Sequence, residues 1–309
     1  MEDILPITCY LSPVPCPLSP EPYHLSPVTC NLMKNLGTLL KIAIIALFLA
    51  ACHKPQEVVI LHTNDTHSQL EPYKEKDGSV RGGVLRRMEF IQKERAENET
   101  VFLFDAGDFS QGTPYYNLFE GYPEIDFMNR MGYDAATLGN HEFDEGTQHL
   151  AERLKTAKFP IVCCNYTIDN PDLANLVKPY TIIQRNGLKV GVFGLVIQLD
   201  GLLAGEHIMD TIHYIDAVEA AREAVKKLQA EKCDMIVCLS HLGFGPDDVA
   251  PDRPMCDTLL ARQVQDIDLI IGGHTHQETD TLIGRVRVVS NINQGRTVGK
   301  FSLKLKNEN

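Results

Sequence analysis

The sequence predicts a single layered α/β domain whose sheets are mixed rather than purely parallel. Short β-branched or apolar runs alternate with amphipathic helical patterns from about residue 57 to the end of the chain. Asn186-Gly187 separates two such runs and is typical of a tight hairpin turn, which brings antiparallel pairing into a sheet. Alternating strands and helices favour a layered fold, and the hairpins late in the chain make its sheets mixed. Because no internal repeat or linker follows residue 57, one domain accounts for this part of the chain.

The elements of the first half follow from local patterns. A β-branched apolar run over residues 57–61 predicts the first strand. A helix follows a pair of glycines, because Leu85, Met88 and Ile91 are three positions apart and predict its buried face. Similar signals predict strands over 101–104, 134–138 and 160–164, and helices over 123–132 and 147–156.

The second half begins with the hairpin, whose strands are predicted over 180–185 and 188–196. Asp216 is a helix-capping residue type, and the apolar residues after it recur on one helical face. Shorter patterns predict strands over 235–239, 268–271, 286–290 and 300–305, and a helix over 258–264. This succession completes the layered α/β prediction.

Charge and cysteine content narrow the classes of function. The chain has a formal net charge of −12, to which residues 1–51 contribute only −1. No basic stripe interrupts this acidity, so binding of nucleic acid through its phosphates is not expected. Five of the nine cysteines lie in or near apolar strand and helix patterns beyond residue 160. They are typical of small buried core residues rather than of a disulfide scaffold.

The N-terminal 52 residues have the pattern of an export signal. Residues 1–32 are rich in proline and have no helical or strand period, so we interpret them as untranslated or disordered, with Met33 as the start. An unusual N-terminal extension is the alternative. Residues 33–52 contain lysines, an apolar run too short to span a membrane, and the ending Leu-Ala-Ala-Cys. This ending resembles the lipobox of bacterial lipoproteins and implies cleavage before Cys52, lipidation of its sulfur, and anchoring to the periplasmic side of the outer membrane.

Residue types that bind metals follow five of the predicted strands. Ligands of open α/β sheets collect outside the carboxyl ends of strands, so these five loops are able to converge. The candidates are Asp65 with His67, Asp108, Asn140 with His141, His241, and His274 with His276. A single pair of histidines commonly lies in a solvated loop without binding a ligand. Metal-binding residue types at five strand ends are a specific signal of a metal site.

The donor types indicate the kind of metal site. Oxygen and imidazole donors without a thiolate suit Zn, Mn, Fe or Co. Seven possible ligands exceed the four of one tetrahedral ion, and they suit two divalent ions about 3.5–4 Å apart that share one bridging carboxylate. The sequence therefore predicts a site for two divalent metal ions.

These residues stand in motifs that resemble those of a known family. The matching motifs are Asn64-Asp65-x-His67, Gly107-Asp108, Gly139-Asn140-His141-Glu142-Phe143-Asp144, Ser240-His241 and Gly273-His274-Thr275-His276. They match, in order, the signature of the calcineurin-like binuclear metallophosphoesterases. Three local sequences most resemble the branch of 5′-nucleotidases and UDP-sugar hydrolases. They are Gly107 to Pro114, Met128 to Asp134 and Asp268 to His274. The resemblance runs from about Val58 to the end and implies an α/β/β/α sandwich with two mixed sheets over residues 53–309.

The resemblance also implies roles for the candidate residues. One metal would be held by Asp65, His67, Asp108 and His276, and the other by Asp108, Asn140, His241 and His274. A hydroxide bridging the two metals would attack the phosphorus of a phosphate monoester, in the first place a 5′-nucleotide. His141 would contact the phosphoryl group, together with Asn140, or protonate the leaving group, and Asp144 would orient its imidazole. Glu142 and Phe143 are interpreted as structural residues.

Several alternatives share these ligands. They are a 2′,3′-cyclic-nucleotide phosphodiesterase, a nucleotide-sugar hydrolase, a thiosulfate-ester hydrolase and, in another class, a non-catalytic lipoprotein that holds metal. Metal storage requires neither His141 nor Asp144, which favours an enzyme. The 5′-nucleotidases have a second, C-terminal domain that binds the nucleoside, whereas this sequence stops at Asn309. We therefore expect a separately encoded nucleoside-recognition domain as a partner.

Overall fold

The computed structural model describes residues 56–202, 210–245 and 254–305, all within one compact unit that spans residues 55–309. The predicted signal peptide over 33–52, its lipidation site Cys52 and the preceding residues 1–32 lie outside the described residues. Among the helices of the described segments, none has both the length and the hydropathy needed to cross a membrane.

The described segments contain sixteen strands and seven α-helices. The strands are β1 (Gln56–Thr63), β2 (Tyr73–Lys74), β3 (Val80–Arg81), β4 (Thr100–Asp105), β5 (Ala135–Thr137), β6 (Ile161–Val162), β7 (Tyr166–Ile168), β8 (Val177–Lys178), β9 (Tyr180–Arg185), β10 (Leu188–Val196), β11 (Ile212–Tyr214), β12 (Met235–His241), β13 (Leu269–Gly272), β14 (Thr279–Ile283), β15 (Val286–Ser290) and β16 (Gly299–Leu305). The helices are α1 (Val84–Glu97), α2 (Pro114–Phe119), α3 (Tyr122–Met131), α4 (Gly146–Leu154), α5 (Pro171–Leu176), α6 (Ala217–Ala230) and α7 (Asp257–Gln263). A short 3-10 helix covers His141–Phe143.

Two six-stranded sheets form the centre of the domain, and both are mixed. The first has the order β16-β1-β4-β5-β6-β8, in which only β16 runs antiparallel to its neighbour. The second has the order β14-β15-β13-β12-β10-β9, with four parallel central strands and an antiparallel strand at each edge. The carboxyl ends of the central strands therefore lie at one edge of each sheet.

Alternation of buried residues along the strands shows four layers. In β1, Val58 and Ile60 pack in a cluster with β10, β12 and β13 of the second sheet, so this cluster lies between the sheets. Val59 and Leu61 pack instead against residues of α1, α3 and α4. A third cluster joins the outer face of the second sheet to α6 and α7. The predicted α/β/β/α sandwich with two mixed sheets is therefore confirmed, and its sheets are covered on both faces.

Two local predictions were tested by the structure. The hairpin prediction is confirmed, because Asn186 and Gly187 both have positive φ, as a two-residue turn between β9 and β10 requires. The predicted buried face of α1 was wrong at its first position, since Leu85 is 70% exposed. The buried residues of α1 are Val84, Arg87, Ile91 and Glu94. The spacing of apolar residues gave the wrong buried face because two of the buried residues, Arg87 and Glu94, are charged.

Several short elements had no clear sequence signal. They are α2, α5, β2, β3, β7, β8, β11 and β14. The predicted strand over 160–164 is shorter than expected, with only Ile161 and Val162 in the sheet. Elements of two to six residues contain too few positions to show a period.

Candidate metal centre

The predicted ligands lie in the loops that follow neighbouring parallel strands. Asp65 and His67 follow β1, Asp108 follows β4, Asn140 and His141 follow β5, His241 ends β12, and His274 and His276 follow β13. Because β1, β4 and β5 are neighbours in one sheet and β12 and β13 in the other, the two sets of loops meet where the sheets face each other. The fold thus brings together residues that are up to 211 positions apart, from Asp65 to His276.

The first group of donors consists of Asp65, His67, Asp108 and His276, whose ligand atoms lie within 4.8 Å of one another. The Nε2 atoms of His67 and His276 are 3.0 Å apart. His276 Nε2 is 3.4 Å from Asp65 Oδ1, and His67 Nε2 is 3.8 Å from Asp108 Oδ2. Donor atoms about 2.1 Å from a tetrahedral ion would be roughly 3.4 Å apart, so these spacings suit one shared ion.

The second group shares Asp108 and adds His241 and His274. His241 Nε2 is 3.0 Å from Asp108 Oδ2, and His274 Nδ1 is 3.0 Å from Asn140 Oδ1. Asn140, which the sequence predicted as a ligand without charge, therefore lies at the same group. Asp108 is the one residue common to both groups, as a bridging carboxylate would be.

His241 provides a direct test of whether these residues fit a metal ion. Its side chain is fully buried, and its Nδ1 donates to the carbonyl oxygen of Ala106 at 2.7 Å. In the neutral ring this bond leaves the lone pair on Nε2, which lies 3.0 Å from Asp108 Oδ2 without a well-aligned hydrogen bond to any described residue. A buried imidazole nitrogen without a partner is costly unless it binds a cation. The residues present therefore fit divalent metal ions.

The charges of the site also favour a cation between Asp108 and His241. Burial opposes ionisation of both Asp108 and His241, but their mutual attraction outweighs it. The pKa of Asp108 is consequently lowered, and the pKa of His241 is raised to about 10. Carboxylates that stabilise a charged imidazole in this way also stabilise a metal ion in its place.

The backbone of the ligand loops is strained. Left-handed φ values are costly for residues other than glycine and occur where the surrounding structure imposes them, often at functional sites. In the described segments, the ligand residues with positive φ are Asp65, His67, Asp108, His274 and His276. Five predicted ligands thus share a backbone conformation that only the folded loops impose.

His141 lies beside the metal groups and is oriented by Asp144. Its Nδ1 is 2.8 Å from Asp144 Oδ2, and its backbone N–H donates to Asp108 Oδ1 at 3.0 Å. The hydrogen bond to Asp144 raises the pKa of His141, although partial burial opposes this change. The imidazole remains about one third exposed, so Nε2 is accessible to a ligand at the site. The pairing expected from the sequence is present.

Glu142 has a more specific position than the sequence indicated. Its side chain is fully buried, and its carboxylate accepts backbone N–H groups from Asp108 at 2.9 Å, Ser110 at 2.9 Å and Gly139 at 2.6 Å. It therefore ties the loop after β4 to the loop after β5. A Cβ atom at Gly139 would overlap Asp108 Oδ1, so glycine is required where these loops touch. No sequence signal distinguishes this clamp from an ordinary polar turn residue.

Arg153 and two asparagines also support the loops. Sequence reasoning missed Arg153 and Asn291, and it named Asn64 in a motif without giving it a role. Arg153 is 1% exposed and donates to the backbone oxygen of Glu142 at 2.9 Å. Asn64 donates to Asp65 Oδ2 at 2.7 Å and accepts the backbone N–H of Asn291 at 2.8 Å. These contacts orient a ligand and its neighbouring loop from outside the metal groups.

Comparison with known proteins gives one family. The calcineurin-like phosphoesterase family matches residues 58–278. Among characterised proteins, the chain is similar to the snake venom 5′-nucleotidase of Naja atra, with 36% identity over 229 residues. This match covers 71% of the chain and 41% of the venom protein, so the chain spans about two fifths of that relative's length.

Two solved structures are similar over most of the described fold. A 5′-nucleotidase precursor from Thermus thermophilus has a TM-score of 0.72 and 33% identity, and the match covers 80% of this chain and 51% of that one. The calcineurin-like phosphoesterase YfkN from Bacillus subtilis has a TM-score of 0.70 and 28% identity, with coverage of 82% and 86%. The fold, the metal-ligand motifs and the similar proteins all indicate this one family.

Proposed function

The chain belongs to the calcineurin-like phosphoesterase family, and on that premise we propose that it hydrolyses phosphate monoesters, with 5′-nucleotides as substrates. The observation that supports this most directly is the pair of donor groups that share Asp108, with His141 and Asp144 beside them. The similarity to 5′-nucleotidases supports nucleotides as the substrate class.

The donor groups would hold two divalent metal ions. Asp65, His67, Asp108 and His276 would hold one, and Asp108, Asn140, His241 and His274 the other. Two such ions supply activation of water and neutralisation of phosphoryl charge when they are bound. The protein contributes the fixed geometry, because Glu142, Asn64 and the Ala106 carbonyl each restrain a ligand or its loop.

His141 would act on the phosphoryl group or on the leaving group. Hydrolysis of a monoester leaves an alkoxide oxygen that must gain a proton, and His141 Nε2 is able to donate one. The hydrogen bond from Nδ1 to Asp144 fixes the ring and favours the protonated imidazole. In that state Nε2 also stabilises negative charge on the phosphoryl oxygens.

The test is hydrolysis by the purified chain loaded with Mn or Zn, measured as inorganic phosphate for the monoesters and by chromatography of the products for the cyclic and sugar nucleotides. The substrates would be AMP, glycerol phosphate, p-nitrophenyl phosphate, 2′,3′-cyclic AMP and UDP-glucose, each with a chelator-treated control. We expect metal-dependent release from the monoesters, fastest from AMP. If the chain binds metal but hydrolyses none of these substrates, it is a metal-holding protein instead. Faster cleavage of the cyclic or sugar nucleotide would assign a different member of the same reaction class.

The same experiment measures nucleoside selectivity. The metal ligands and His141 would contact the phosphoryl group that every monoester shares, so selectivity requires contacts beyond it. A stacked base contributes about 1–3 kcal/mol in proteins that bind single strands, which corresponds to roughly ten- to a hundredfold. The ratio of kcat/KM for AMP to that for glycerol phosphate therefore reports whether this chain recognises the nucleoside.

We propose further that the protein is a lipoprotein of the cell envelope, anchored through Cys52. The support is the apolar run and the Leu-Ala-Ala-Cys ending of residues 33–52. Acyl chains contribute about 0.8 kcal/mol per buried CH₂, and two or more chains anchor a protein stably. Cys52→Ser should move the protein from the membrane fraction to the soluble fraction, whereas Cys233→Ser, a change at a free cysteine of the folded domain, should not. Equal partitioning of the wild type and Cys52→Ser would contradict the anchor.

A further inference from the structure

A pocket separate from the metal centre lies at the start of α1. Its volume is about 180 Å³, and its walls include Arg86, Arg87, Arg296 and Thr297 beside the apolar side chains of Phe90 and Val298. Three arginine side chains thus line one pocket of a chain whose net charge is −12. A water molecule occupies about 30 Å³ in the liquid, so the pocket has room for a multi-atom ligand.

Arg87 is the buried cation of this pocket. Its side chain lies on the buried face of α1 and is only 6% exposed. Neither Nε nor Nη1 has a hydrogen-bond partner among the described residues. The guanidinium interacts electrostatically with the buried carboxyl of Asp105, but the described structure gives no ion pair or hydrogen bond between them. Buried N–H donors without acceptors are costly, and an acceptor bound to Nε and Nη1 removes that cost.

A small internal cavity on the other side of Arg87 does not supply these acceptors. That cavity has a volume of about 10 Å³ and also borders Asp105, Ser68 and Glu124. The two oxygens of Asp105 already accept other hydrogen bonds. It has room for about one water molecule. The buried Ser68 hydroxyl and Glu124 carboxyl interact with each other, but neither makes a well-aligned hydrogen bond in the described structure, so both compete for the same water. The pocket of 180 Å³ is the larger space open to Arg87.

Thr297 provides a second unpartnered group. Its Oγ1 is buried and has no hydrogen-bond partner within the described ranges. Arg86 is exposed, and within the described ranges its side chain makes one long hydrogen bond, of 3.4 Å, to the carbonyl oxygen of Val80. Two cations and one hydroxyl donor therefore remain available to a ligand.

Arg296 is held in place and contributes charge rather than free donors. Its guanidinium lies 3.6 Å from a carboxylate oxygen of Glu75 and stacks over the ring of Tyr73. It also donates to the backbone oxygen of Asn293 at 3.1 Å. Because Asn293 contacts His276, Arg296 is unsuitable for a test that must leave the metal centre intact.

The backbone adds to the positive potential. Helix α1 has fourteen residues, and its first turn contains no acidic side chain. The N-terminus of a helix carries roughly half a positive charge, which normally favours acidic residues there. Instead, Arg86 and Arg87 stand in the first turn, so neither a carboxylate nor a side-chain cap balances this end of α1.

We propose that this pocket binds a small oxyanion of the phosphate class, at a site separate from the metal centre. Guanidinium groups present paired N–H donors that match the oxygens of phosphate, and a threonine hydroxyl donates to the same kind of acceptor. Arg86, Arg87 and Thr297 would donate to the oxyanion, and Phe90 and Val298 would shield one side of it. The proposal does not depend on which phosphoester the metal centre cleaves.

The test is calorimetric titration of inorganic phosphate into the chelator-treated chain, in which the metal centre cannot bind phosphate through metal ions. Circular dichroism would verify that the treated chain remains folded. We expect one saturable phosphate site. Arg86→Gln should weaken binding about tenfold, since one charge-assisted hydrogen bond is lost. Arg222→Gln, a matched change on α6 over the other sheet, should leave binding unchanged.

Thr297→Val distinguishes a ligand site from a structural cluster. Valine removes the unpartnered hydroxyl, so without phosphate this variant should unfold at the same or higher urea concentration than the wild type. With phosphate, it should gain less stability than the wild type does. Hydrolysis by metal-loaded Arg86→Gln should equal that of the wild type, which separates this site from the metal centre.

Three results would overturn the proposal. They are the absence of saturable binding in the folded, chelator-treated chain, unchanged phosphate affinity in both Arg86→Gln and Thr297→Val, and equal binding of chloride at matched ionic strength. The last result would indicate a general positive surface rather than an oxyanion site.

Discussion

The carboxylate of Glu142 accepts the backbone N–H of Asp108 across 34 residues of sequence, at a distance of 2.9 Å. The same oxygen accepts the N–H of Gly139, and the other oxygen accepts the N–H of Ser110. Glu142 lies between Asn140, His141 and Asp144 in the chain, yet it faces away from the site and into the protein. It thereby fixes the carboxylate shared by both donor groups relative to the imidazole beside them.

Replacing Glu142 by glutamine should destabilise the protein. An amide has one acceptor oxygen, so its NH₂ group would face at least one buried backbone N–H, at a cost of about 1–3 kcal/mol. Urea unfolding should show this loss, and metal analysis should show reduced occupancy because the Asp108 loop is released. Glu89→Gln, on the exposed face of α1, is the matched control. Equal behaviour of the two variants would show that Glu142 is not a clamp.

Metal binding and proton transfer should separate by mutation. Asp108→Ala removes the carboxylate common to both donor groups and should abolish nearly all activity together with at least one metal ion. His141→Ala should retain both ions and lose on the order of 10²–10⁴ in kcat. Mass-spectrometric metal analysis beside steady-state kinetics checks both expectations. Loss of metal from His141→Ala would place that imidazole among the ligands instead.

Stability should fall in mild acid because of His62. This histidine is 3% exposed, and burial lowers its pKa to about 4 despite the opposing charge of Asp280. The unfolded chain takes up this proton near pH 6.5 and the folded chain does so only near pH 4. His62 therefore stabilises the fold above pH 6.5, and this contribution decreases progressively as pH falls towards 4, by about 3 kcal/mol in total.

The check is the free energy of unfolding in urea, measured between about pH 7 and about pH 4.5. In His62→Gln the slope with pH should be smaller than in the wild type, while the other titrating groups contribute equally to both. Glutamine keeps an acceptor for the amide of Asn291, which lies 3.1 Å from His62 Nδ1. Identical slopes would mean that His62 does not carry this dependence.

The turn between β9 and β10 should tolerate asparagine better than alanine. Gly187 has a φ of 83°, and a Cβ atom there would meet no other atom within 4 Å, so only backbone conformation opposes substitution. Gly187→Ala should lower the free energy of unfolding by about 1–2 kcal/mol. Gly187→Asn should cost less, because asparagine adopts left-handed φ more readily. A thermal or urea unfolding series on the two variants measures the difference, and equal losses would contradict it.

The layers and the convergence of the ligand loops were predictable from the sequence for one physical reason. A strand buried on both faces is an apolar run, and a polar cluster at its end marks where the sheet stops. Val58 to Leu61 followed by Asp65 and His67 show this pattern, and the structure places that cluster opposite His276. The apolar pattern of the strands, together with the rule that ligands collect at strand ends, was therefore sufficient to predict where the ligand loops meet.

The supporting contacts were not predictable, because they depend on direction rather than on residue type. Glu142 and Asp144 are both carboxylates in one turn, yet one is fully buried against backbone N–H groups and the other faces His141. Arg87 was hidden by the apolar spacing around it, since only the three-dimensional position of α1 shows that this face is buried. Short elements such as β8 are formed through sheet neighbours and have no period of their own.

The antiparallel pairing of β16 with β1 joins the two ends of the described domain, with Val58 opposite Leu303. Such a contact has a long sequence separation, which slows folding. Until residues 299–305 are synthesised, β1 has an unpaired edge formed by Val58, Val59, Ile60 and Leu61, all of which are fully buried in the finished fold. An open apolar edge of this kind promotes aggregation. The nascent chain therefore depends on β16 to close the sheet, and a translation stop before Gly299 should produce an aggregation-prone product rather than a smaller functional domain.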